Sequence, residues 1–448
     1  MSNAPKPTAR MAAALAVEAQ AAAWPKTFPG EPDMSGLSQD DVNLATAIYR
    51  ITMRRWGTLE YLMDKFSTVA CAQLEPGVRA ALLVTAAQLV FMDGIPVYAA
   101  VNEGVKLVRQ LCNARDAGRS VALCNAVLRR VAEAAGDRRP VEETWTPAAD
   151  RIPLGLPEDG YLKLAQPVLP QPEQLRHYLS AATSMPRPLV QAWLEKYGEA
   201  QTIALCLQAL TQPPVIVAVE DGFDRFAAGP FAAHEAGGFV VWQGGMAGLP
   251  VFLKENPARR VQDPTASRAV KSTASLAPKR ILDYCAGLGT KTRQLAQLHP
   301  GAQIVATDRD DKRRAGLRAM AAGFPNIEVV EFGGVGALAP FDLVVLDAPC
   351  SNTGVLARRV EARWRFGPSS VGEITQLQKK IVEQAKAWVA GGGHVLYSTC
   401  SIESGENGKQ ARRIGGTSGE IIDEHLTLPS QMGAAHVDGG YHALVRMG

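Results

Sequence analysis

The stretch "ILDYCAGLGTKTRQLAQL", residues 281–298, joins a short apolar run to a helix-compatible run through Gly287 and Gly289. Glycines at such a junction allow a tight turn and let a ligand approach the backbone beside a helix N-terminus. Asp308 stands nineteen residues after Gly289, at the end of the next apolar run, where an acid commonly binds ribose hydroxyls. Together these residues predict an adenosine-containing cofactor.

A nicotinamide dinucleotide is the usual ligand of such a strand-helix-strand unit. Thr292, however, stands where the GxGxxG fingerprint has its third glycine, so the fingerprint fails for NAD. S-adenosyl-L-methionine has no pyrophosphate to hold and fits this looser glycine loop as well or better. We therefore expect S-adenosyl-L-methionine to be the cofactor.

The pattern of the glycine stretch continues along the chain. Apolar runs alternate with helix-compatible stretches of ten or more residues, and these runs read "RILDY", "AQIVATD", "IEVVEF", "FDLVVLDAP" and "GGHVLYSTC". The alternation predicts a parallel sheet that is covered by helices on both faces, with ligands bound at the carboxyl ends of its strands. We expect an α/β Rossmann-like domain over residues 261–448.

Two of the seven cysteines follow such strands. "DAPCS" and "STCS" place Asp347, Cys350 and Cys400 at the same edge as the glycine loop. A thiolate beside a methyl donor suits methylation of cytosine C5, because its addition to C6 makes C5 nucleophilic. A carboxyl group at the N3 edge would help the ring to accept electrons, and Asp347 is the candidate for that role. Buried structural cysteines are the alternative interpretation.

The chain before residue 261 has another organisation. Apolar residues recur at helical spacing up to about residue 140, as in "AAVNEGVKLVRQLC", and residues 137–175 are rich in proline. Short runs such as "VIVAV" and "GFVVWQ" follow. We expect an all-α domain over residues 1–140, a proline-rich linker with a small mixed α+β lobe over 141–260, and the catalytic domain over 261–448.

Several motifs resemble those of a known family. "LDYCAGLGTK", "DAPCSNTGVLARR" and "VLYSTCSIESGEN" resemble RNA cytosine-C5 methyltransferases of the NOL1/NOP2/Sun type. "LATAIYRITMRRWGTLEYLMDKF", "GIPVYAAVNEGVKLVRQ" and "LCNAVLRRV" resemble the NusB-like helical domain that begins bacterial members acting on small-subunit ribosomal RNA. The resemblance implies that Cys400 attacks the base and that Cys350 assists product release. It implies cofactor contacts by Cys285, Ala286, Gly287, Leu288, Gly289, Thr290, Lys291, Asp308 and Asp347.

The sequence departs from this family at identifiable positions. Gly287, Leu288 and Thr290 replace the second alanine, the proline and the second glycine of the usual cofactor loop. Where the third strand normally ends near an aspartate that holds the adenine amino group, the chain offers Glu331. Because of these departures, one alternative is an assembly factor that has kept RNA binding and lost catalysis. A transfer-RNA methyltransferase with the same chemistry is a second alternative.

Ribosomal RNA with an unpaired cytidine is the partner that the resemblance implies. The net charge is only +3, yet lysines and arginines cluster locally. Candidate phosphate contacts are Arg54, Arg55, Arg129, Arg130 and the segment from Arg358 to Arg365, with ordinary surface charge as the alternative. The cysteines show no zinc spacing, and no stretch has the pattern of a signal peptide or membrane span. We expect a cytoplasmic monomer without a metal.

Overall fold

The computed structural model describes residues 8–113, 117–430 and 433–448. The chain forms two compact units. The first comprises the residues up to Thr211 together with Arg359–Gly367, and the second comprises Gln212–Arg358 together with Pro368–Gly448. Within the described ranges, no helix is both long and apolar enough to cross a lipid bilayer.

The first unit is mainly helical. Its helices are α1 (Ala9–Ala23), α2 (Gln39–Asp64), α3 (Pro76–Phe91), α4 (Val97–Leu111), α5 (Ala117–Ala135), α6 (Leu175–Thr183) and α7 (Arg187–Gln208). Nearly all residues of α3 are buried, which is typical of a helix at the centre of a bundle. Helix α4 instead buries one stripe that includes Val101 and Val108, and α5 does so through Cys124 and Leu128, as the sequence spacing predicts.

The proline-rich stretch contains a small sheet. Its strands are β1 (Pro140–Val141), β2 (Arg151–Pro153) and β3 (Tyr161–Lys163), which pair antiparallel in the order β1-β3-β2. Pro140 and Pro153 lie on the two edge strands, where a proline costs no ladder hydrogen bond on the open side. The linker predicted over this stretch is thus partly ordered as strands, while the division of the chain into three domains stays a prediction.

A short segment late in the chain also folds with the first unit. The segment is Arg359–Gly367, although the chain on both sides of it belongs to the second unit. Thr27 donates a hydrogen bond from its hydroxyl to the carbonyl oxygen of Glu361 at 2.8 Å. The ring of Trp364 lies 5.2 Å from the ring of Trp24, centroid to centroid. Aromatic packing and this hydrogen bond therefore anchor the segment among the helices of the first unit.

The second unit begins with a small antiparallel sheet. Its elements are β4 (Val215–Ala218), β5 (Phe231–Ala233), β6 (Phe239–Trp242), α8 (Leu249–Lys254) and β7 (Arg260–Val261). The strand order is β5-β6-β4-β7. Strands β4 and β6 are those that the runs "VIVAV" and "GFVVWQ" predict, whereas β5 and β7 are short and lack such runs.

A seven-stranded sheet forms the rest of the second unit. Its strands are β8 (Arg280–Asp283), β9 (Gln303–Ala306), β10 (Ile327–Val329), β11 (Phe341–Asp347), β12 (Val389–Thr399), β13 (Glu420–Thr427) and β14 (Gly440–Arg446). The order is β10-β9-β8-β11-β12-β14-β13, parallel from β10 to β12. Strand β14 runs antiparallel to β12, and β13 antiparallel to β14. The sheet is therefore mixed, where the alternation alone predicts a parallel one.

Helices cover both faces of this sheet. They are α9 (Pro264–Lys271), α10 (Thr290–Leu298), α11 (Asp311–Ala321), α12 (Pro368–Lys386) and α13 (Gly408–Gly415). Along β11, Val344 and Leu346 join one buried cluster with residues of α12 and α13. Leu343 and Val345 join another cluster with residues of α9 and α10. Burial on both faces explains why the central strands read as unbroken apolar runs.

Candidate active site

The loops that follow β8, β9, β11 and β12 lie at the carboxyl edge of the sheet. Strands β8 and β11 are neighbours, although the chain forms β9 and β10 between them. At such a switch in strand order the adjoining loops separate, and ligands of open α/β sheets bind in the crevice between them. All the residues that the sequence singled out for catalysis or cofactor binding belong to this edge.

The glycine loop turns sharply between β8 and α10. Gly287 has φ +58° and Gly289 has φ +91°, both in the left-handed region that favours glycine. A Cβ atom added at Gly289 would overlap the end of Met320 and lie 2.7 Å from Cδ1 of Leu317. A Cβ atom added at Gly287 would meet nothing within 4 Å, so open space lies beside the loop there. The side chain of Leu288 is largely exposed, at 65%.

The residues flanking these glycines extend the strand and begin the helix. Ala286 donates its backbone N–H to the carbonyl oxygen of Thr307 at 3.0 Å, and Thr290 is the first residue of α10. Burial raises the pKa of the Cys285 thiol, and nearby acidic groups, first Asp283, raise it further. Cys285 is therefore held as a neutral thiol and does not serve as a thiolate.

Asp283 ends β8 beneath the glycine loop. The residue is fully buried, and its Oδ2 accepts a hydrogen bond from the Thr292 hydroxyl at 2.7 Å. Burial raises the pKa of Asp283 to about 7; the hydrogen bond from Thr292 opposes this rise, and the charge of Asp347 adds to it. A glycine at position 292, as in the dinucleotide fingerprint, would leave the Asp283 carboxyl without this donor.

Asp308 lies just beyond β9, beside the glycine loop. Its carboxylate accepts hydrogen bonds from the backbone N–H groups of Gly287 and Asp310, each at 2.9 Å. Each oxygen keeps a lone pair that can accept a ribose hydroxyl. Glu331, after β10, forms an ion pair with Arg314 at 2.8 Å. The position predicted to lie near adenine thus carries a carboxylate that an arginine already holds.

Asp347 ends β11 and is paired with a lysine of the glycine loop. The Lys291 Nζ atom lies 2.7 Å from Asp347 Oδ2, and the Ser398 hydroxyl donates to Asp347 Oδ1 at 2.9 Å. Burial lowers the pKa of Lys291, but the charge of Asp347, their hydrogen bond and the charge of Cys400 outweigh it, so the pKa is raised. Lys291 therefore remains an ammonium group at the site, close to both Asp347 and Cys400.

The two cysteines predicted to be catalytic meet. Their sulfur atoms, in Cys350 and Cys400, are 3.2 Å apart, within hydrogen-bond distance for a thiol. The hydrogen bond with Cys400 raises the pKa of Cys350, and burial raises it further. Asn352 has φ +62°, a left-handed conformation that asparagine tolerates, and its Oδ1 lies 3.2 Å from the Cys400 sulfur. The Cys400 thiol donates to Asn352 Oδ1, and either sulfur of the pair can donate to the other.

Backbone contacts fix the loops that carry the cysteines. Gly354 donates its N–H to the carbonyl oxygen of Cys400 at 3.0 Å, and Gly439 donates its N–H to the carbonyl oxygen of Gly354 at 2.7 Å. A Cβ atom added at Gly354 would lie 2.5 Å from the carbonyl carbon of Gly439. Only glycine fits where these two backbones approach so closely.

The residues that the sequence predicts to be catalytic lie together in the structure, and the sequence analysis missed a residue that contacts them. Asp347, Cys350, Cys400 and Lys291 converge at one edge. Asn352 was missed, although an asparagine within "SNTG" is a typical turn residue that adopts left-handed conformations. The candidate cofactor residues of the glycine loop and Asp308 also lie at this edge, and their roles stay predictions.

The structure corrects two of the predicted phosphate contacts. Arg55 is buried and donates to the carbonyl oxygen of Leu154 at 2.8 Å. Arg363 is also fully buried and donates to the carbonyl oxygen of Ala209 at 2.9 Å. The interpretation of these two arginines as RNA contacts is wrong, because their guanidinium groups lie in the protein interior. Arg129 and Arg130 are exposed.

Arg358 belongs to another cluster within the second unit. Asp263, His436 and Asp438 offer ligand atoms within 4.8 Å of one another, a spacing that could suit a metal ion. The Arg358 Nε atom donates to Asp438 at 2.7 Å, and its Nη1 atom donates to the carbonyl oxygen of Pro214 at 2.9 Å. An arginine thus already supplies positive charge to this acidic cluster.

Comparisons with known proteins match both halves of the chain. Residues 274–429 match the family described as 16S rRNA methyltransferase RsmB/F, and residues 9–133 match the NusB family. The crystal structure of PH0851 covers 92% of this chain and 91% of its own chain, with a TM-score of 0.65 and 19% identity, so this likeness shows the fold. The predicted NusB-like helical domain and Rossmann-like domain are confirmed.

Curated relatives carry the corresponding names. Ribosomal RNA small subunit methyltransferase B of Proteus mirabilis is 32% identical over 193 residues, which cover 41% of this chain and 45% of that protein. The chain thus spans less than half the length of this relative. The probable ribosomal RNA small subunit methyltransferase B of Synechocystis sp. is 25% identical over 400 residues, covering 84% of this chain and 81% of that protein. By these matches, residues 274–429 of the chain are similar to the 16S rRNA methyltransferase RsmB/F family and residues 9–133 are similar to the NusB family.

Proposed function

We propose that the chain is an RNA methyltransferase that transfers a methyl group from S-adenosyl-L-methionine to C5 of a cytidine in small-subunit ribosomal RNA. The observation that carries this proposal is the pair of sulfurs in Cys350 and Cys400, 3.2 Å apart and close to the Lys291–Asp347 ion pair. The family match and the names of the curated relatives support RNA methylation. The C5 position and the covalent route rest on the cysteine pair.

The glycine loop suits S-adenosyl-L-methionine. Open space beside Gly287 lets a ligand approach the backbone, and the Asp308 carboxylate has lone pairs free for the ribose hydroxyls. The exposed side chain of Leu288 offers an apolar surface for the adenine ring. When bound there, S-adenosyl-L-methionine supplies an electrophilic methyl group at the edge that carries the cysteines.

Cys400 is the nucleophile in this proposal. Its thiolate adds to C6 of the cytosine, and the C5–C6 double bond becomes an enamine whose C5 takes up the methyl group. The Asp347 carboxylate, held by Lys291 and Ser398, orients the N3 edge of the ring by accepting a hydrogen bond from the adjacent N4 amino group. The Lys291 ammonium group favours the negative charge on the Cys400 sulfur before attack.

Cys350 acts at the end of the reaction. Once C5 carries the methyl group, loss of the C5 proton to water restores the ring double bond and breaks the bond between C6 and the Cys400 sulfur. The Cys350 thiol donates its proton to the departing sulfur, and one negative charge then remains on the pair. A proton exchanged between the two sulfurs restores the starting state, so the net products are methylated cytidine, S-adenosylhomocysteine and one proton.

The RNA is held through its phosphates and shape, with the target cytidine unpaired or flipped out of a stack. The NusB-family domain supplies exposed cations for this purpose, among them Arg129 and Arg130. Contacts to phosphates imply that affinity falls steeply with salt concentration.

The test is methyl transfer from labelled S-adenosyl-L-methionine to ribosomal RNA of a methylation-deficient cell, followed by mapping of the modified base. We expect 5-methylcytidine in the small-subunit RNA. Cys400→Ala should abolish transfer, whereas Cys350→Ala should accumulate a covalent protein–RNA adduct. The reverse pattern would exchange the two roles.

Two other outcomes would replace the proposal. Methylation of transfer RNA and not of ribosomal RNA would assign the same chemistry to another substrate. A protein that binds RNA but has no measurable affinity for S-adenosyl-L-methionine would be an assembly factor without catalysis. The altered loop at Leu288 and Thr290 is the reason to consider this alternative.

A further inference from the structure

Glu406 is a fully buried carboxylate that the proposed mechanism does not use. It accepts hydrogen bonds from the backbone N–H of Ser351 at 2.8 Å and from the Ser351 hydroxyl at 2.5 Å. The Ser401 hydroxyl donates at 2.9 Å and the Gln378 amide at 3.3 Å. No ion pair to Glu406 occurs among the residues that the structure describes, so these donors alone compensate its burial.

The two serines connect Glu406 to both cysteines. Ser351 directly follows Cys350 and Ser401 directly follows Cys400, and both hydroxyls donate to the same oxygen, Oε1, of Glu406. The loops after β11 and β12 are therefore fastened to one carboxylate, one residue away from each sulfur. This arrangement holds the sulfurs at their separation of 3.2 Å.

Charges of opposite sign flank the sulfur pair. The negative charge of Glu406 is among the causes that raise the pKa of Cys350, after the hydrogen bond with Cys400 and burial. On the other side, the Lys291 ammonium group interacts with the charge of Cys400. A negative group beside Cys350 favours its neutral thiol, which is the form that donates a proton to the departing Cys400 sulfur in the proposed mechanism.

We infer that Glu406 is a positioning residue, which fastens the two cysteine loops through Ser351 and Ser401 and whose negative charge keeps Cys350 protonated, ready to donate to the departing Cys400 sulfur. This inference rests on the proposed function. It also explains why a chain would keep an unpaired carboxylate in its interior, where a neutral side chain would cost less.

The variant Glu406→Gln removes the negative charge of residue 406 and retains the hydrogen bonds that hold the two cysteine loops. Glutamine has the same shape, its oxygen can accept, and the serine hydroxyls can turn to accept from its amide group. We expect the variant to fold with a thermal midpoint near that of the wild type. The wild type should form a covalent adduct with 5-fluorocytidine RNA, which traps the bond between C6 and sulfur. With ordinary RNA, product release by Glu406→Gln should begin to slow at a pH about one unit lower than in the wild type, the effect of one pKa unit on Cys350.

The pH profile distinguishes this role from a merely structural one. We expect the rate of product release by Glu406→Gln to have a pH dependence shifted to lower pH, with an unchanged dissociation constant for S-adenosyl-L-methionine. Alkylation of Cys350, measured peptide by peptide in a Cys400→Ala background, should reach its midpoint at a lower pH when Glu406 is glutamine. The control is Glu383→Gln, since Glu383 is half-exposed on α12 and pairs with Lys386.

The outcomes separate the inference from the proposed function. If the wild type forms no adduct with the trapping RNA, the proposed function fails. If the wild type forms the adduct and Glu406→Gln releases the methylated RNA with the wild-type rate and pH profile, only the inference fails. Ser401→Ala is a second test of the charge, because it removes one hydrogen-bond donor to Glu406 Oε1 and keeps the negative charge of Glu406. This variant should retain the wild-type pH profile, and a shift there would contradict the role assigned to the charge.

Discussion

The cysteine side and the glycine side of the candidate active site each contain a fully buried carboxyl group, but these are held differently. Four hydrogen bonds reach Glu406, from a backbone N–H, two hydroxyls and an amide. Asp283 receives one, from Thr292, and its Oδ1 has no partner among the described residues. Two carboxyl groups can therefore be equally buried and still differ in the number of hydrogen-bond donors that face them. Such donors stabilise the charged form of a carboxyl group, whereas burial destabilises it.

The same difference extends to the backbone of the two sides. Near the cysteines, the backbones of Gly354 and Gly439 are in direct contact. The two loops that carry these glycines cannot separate without breaking the hydrogen bond between them. Near the cofactor loop, Gly287 borders open space and Gly289 faces the flexible ends of Leu317 and Met320. The cysteine side is therefore preorganised, whereas the glycine loop has space to adjust when a ligand binds.

The largest effect should follow from Gly354→Ala. The added Cβ would lie 2.5 Å from a backbone carbon of Gly439, so one of the two loops must shift. We expect a loss of more than about 4 kcal/mol of unfolding free energy, measured by urea denaturation. Gly391→Ala is the control, because a Cβ there meets nothing within 4 Å. Equal stability of the two variants would show that the cysteine side is not rigid.

Asp283→Asn should change the pH dependence of stability. The folded-state pKa is about 7, against an ordinary value of 3.8, so the folded protein binds a proton that the unfolded chain has released between these values. Wild-type stability attributable to this group is therefore present below about pH 4 and is lost as the pH rises to about 7.

An asparagine does not titrate, so the variant lacks this loss. The difference in unfolding free energy between wild type and Asp283→Asn should change by a few kcal/mol, on the order of magnitude that such a shift implies, across that window. Thermal unfolding at a series of pH values measures it. A constant difference would mean that Asp283 is ionised in the folded protein.

Gly289→Ala should weaken cofactor binding. The residue would have to adopt φ +91° with a Cβ facing Leu317 and Met320, which costs about 2 kcal/mol, or roughly thirtyfold in the dissociation constant if the loop relaxes away from its binding shape. Calorimetry with S-adenosylhomocysteine measures the effect. Gly287→Ala shares the positive φ but has free space around it, so it should lose less. The opposite ranking would refute the steric explanation.

Asp308→Asn should have the smallest effect. The amide keeps one acceptor for the N–H of Gly287 but loses the charge that strengthens hydrogen bonds from ribose hydroxyls, which is worth about tenfold in affinity. The same calorimetric titration detects this change. Asp311→Asn is the matched control, since Asp311 is exposed on α11 and should leave affinity unchanged.

Much of the fold can be predicted from the sequence because its central strands are buried on both faces. Strands β8, β9, β11 and β12 read as apolar runs for this reason. Strand β13 does not, because it lies at the sheet edge and alternates exposed charges, such as Glu420 and Asp423, with partly buried residues. Strand β13 was therefore missed on physical grounds.

The site divides in a similar way. Cys350, Cys400 and Asp347 stand out because reactive residues at strand ends break an apolar pattern. Glu406 and Arg363 do not, because a charged residue in a sequence suggests the surface and only packing reveals that both are buried. Partners that satisfy a buried charge come from distant parts of the chain, and local patterns cannot show them.

The segment Arg359–Gly367 bears on whether the two units can be expressed or evolve separately. Its aromatic anchor Trp364 packs against Trp24 at a tilted angle, yet it is encoded within the portion that supplies the cysteines. A fragment beginning at Gln212 would lack Trp24, the partner of this tryptophan, and would be prone to aggregation through it. Shuffling of these two modules between genes would therefore require both to change together.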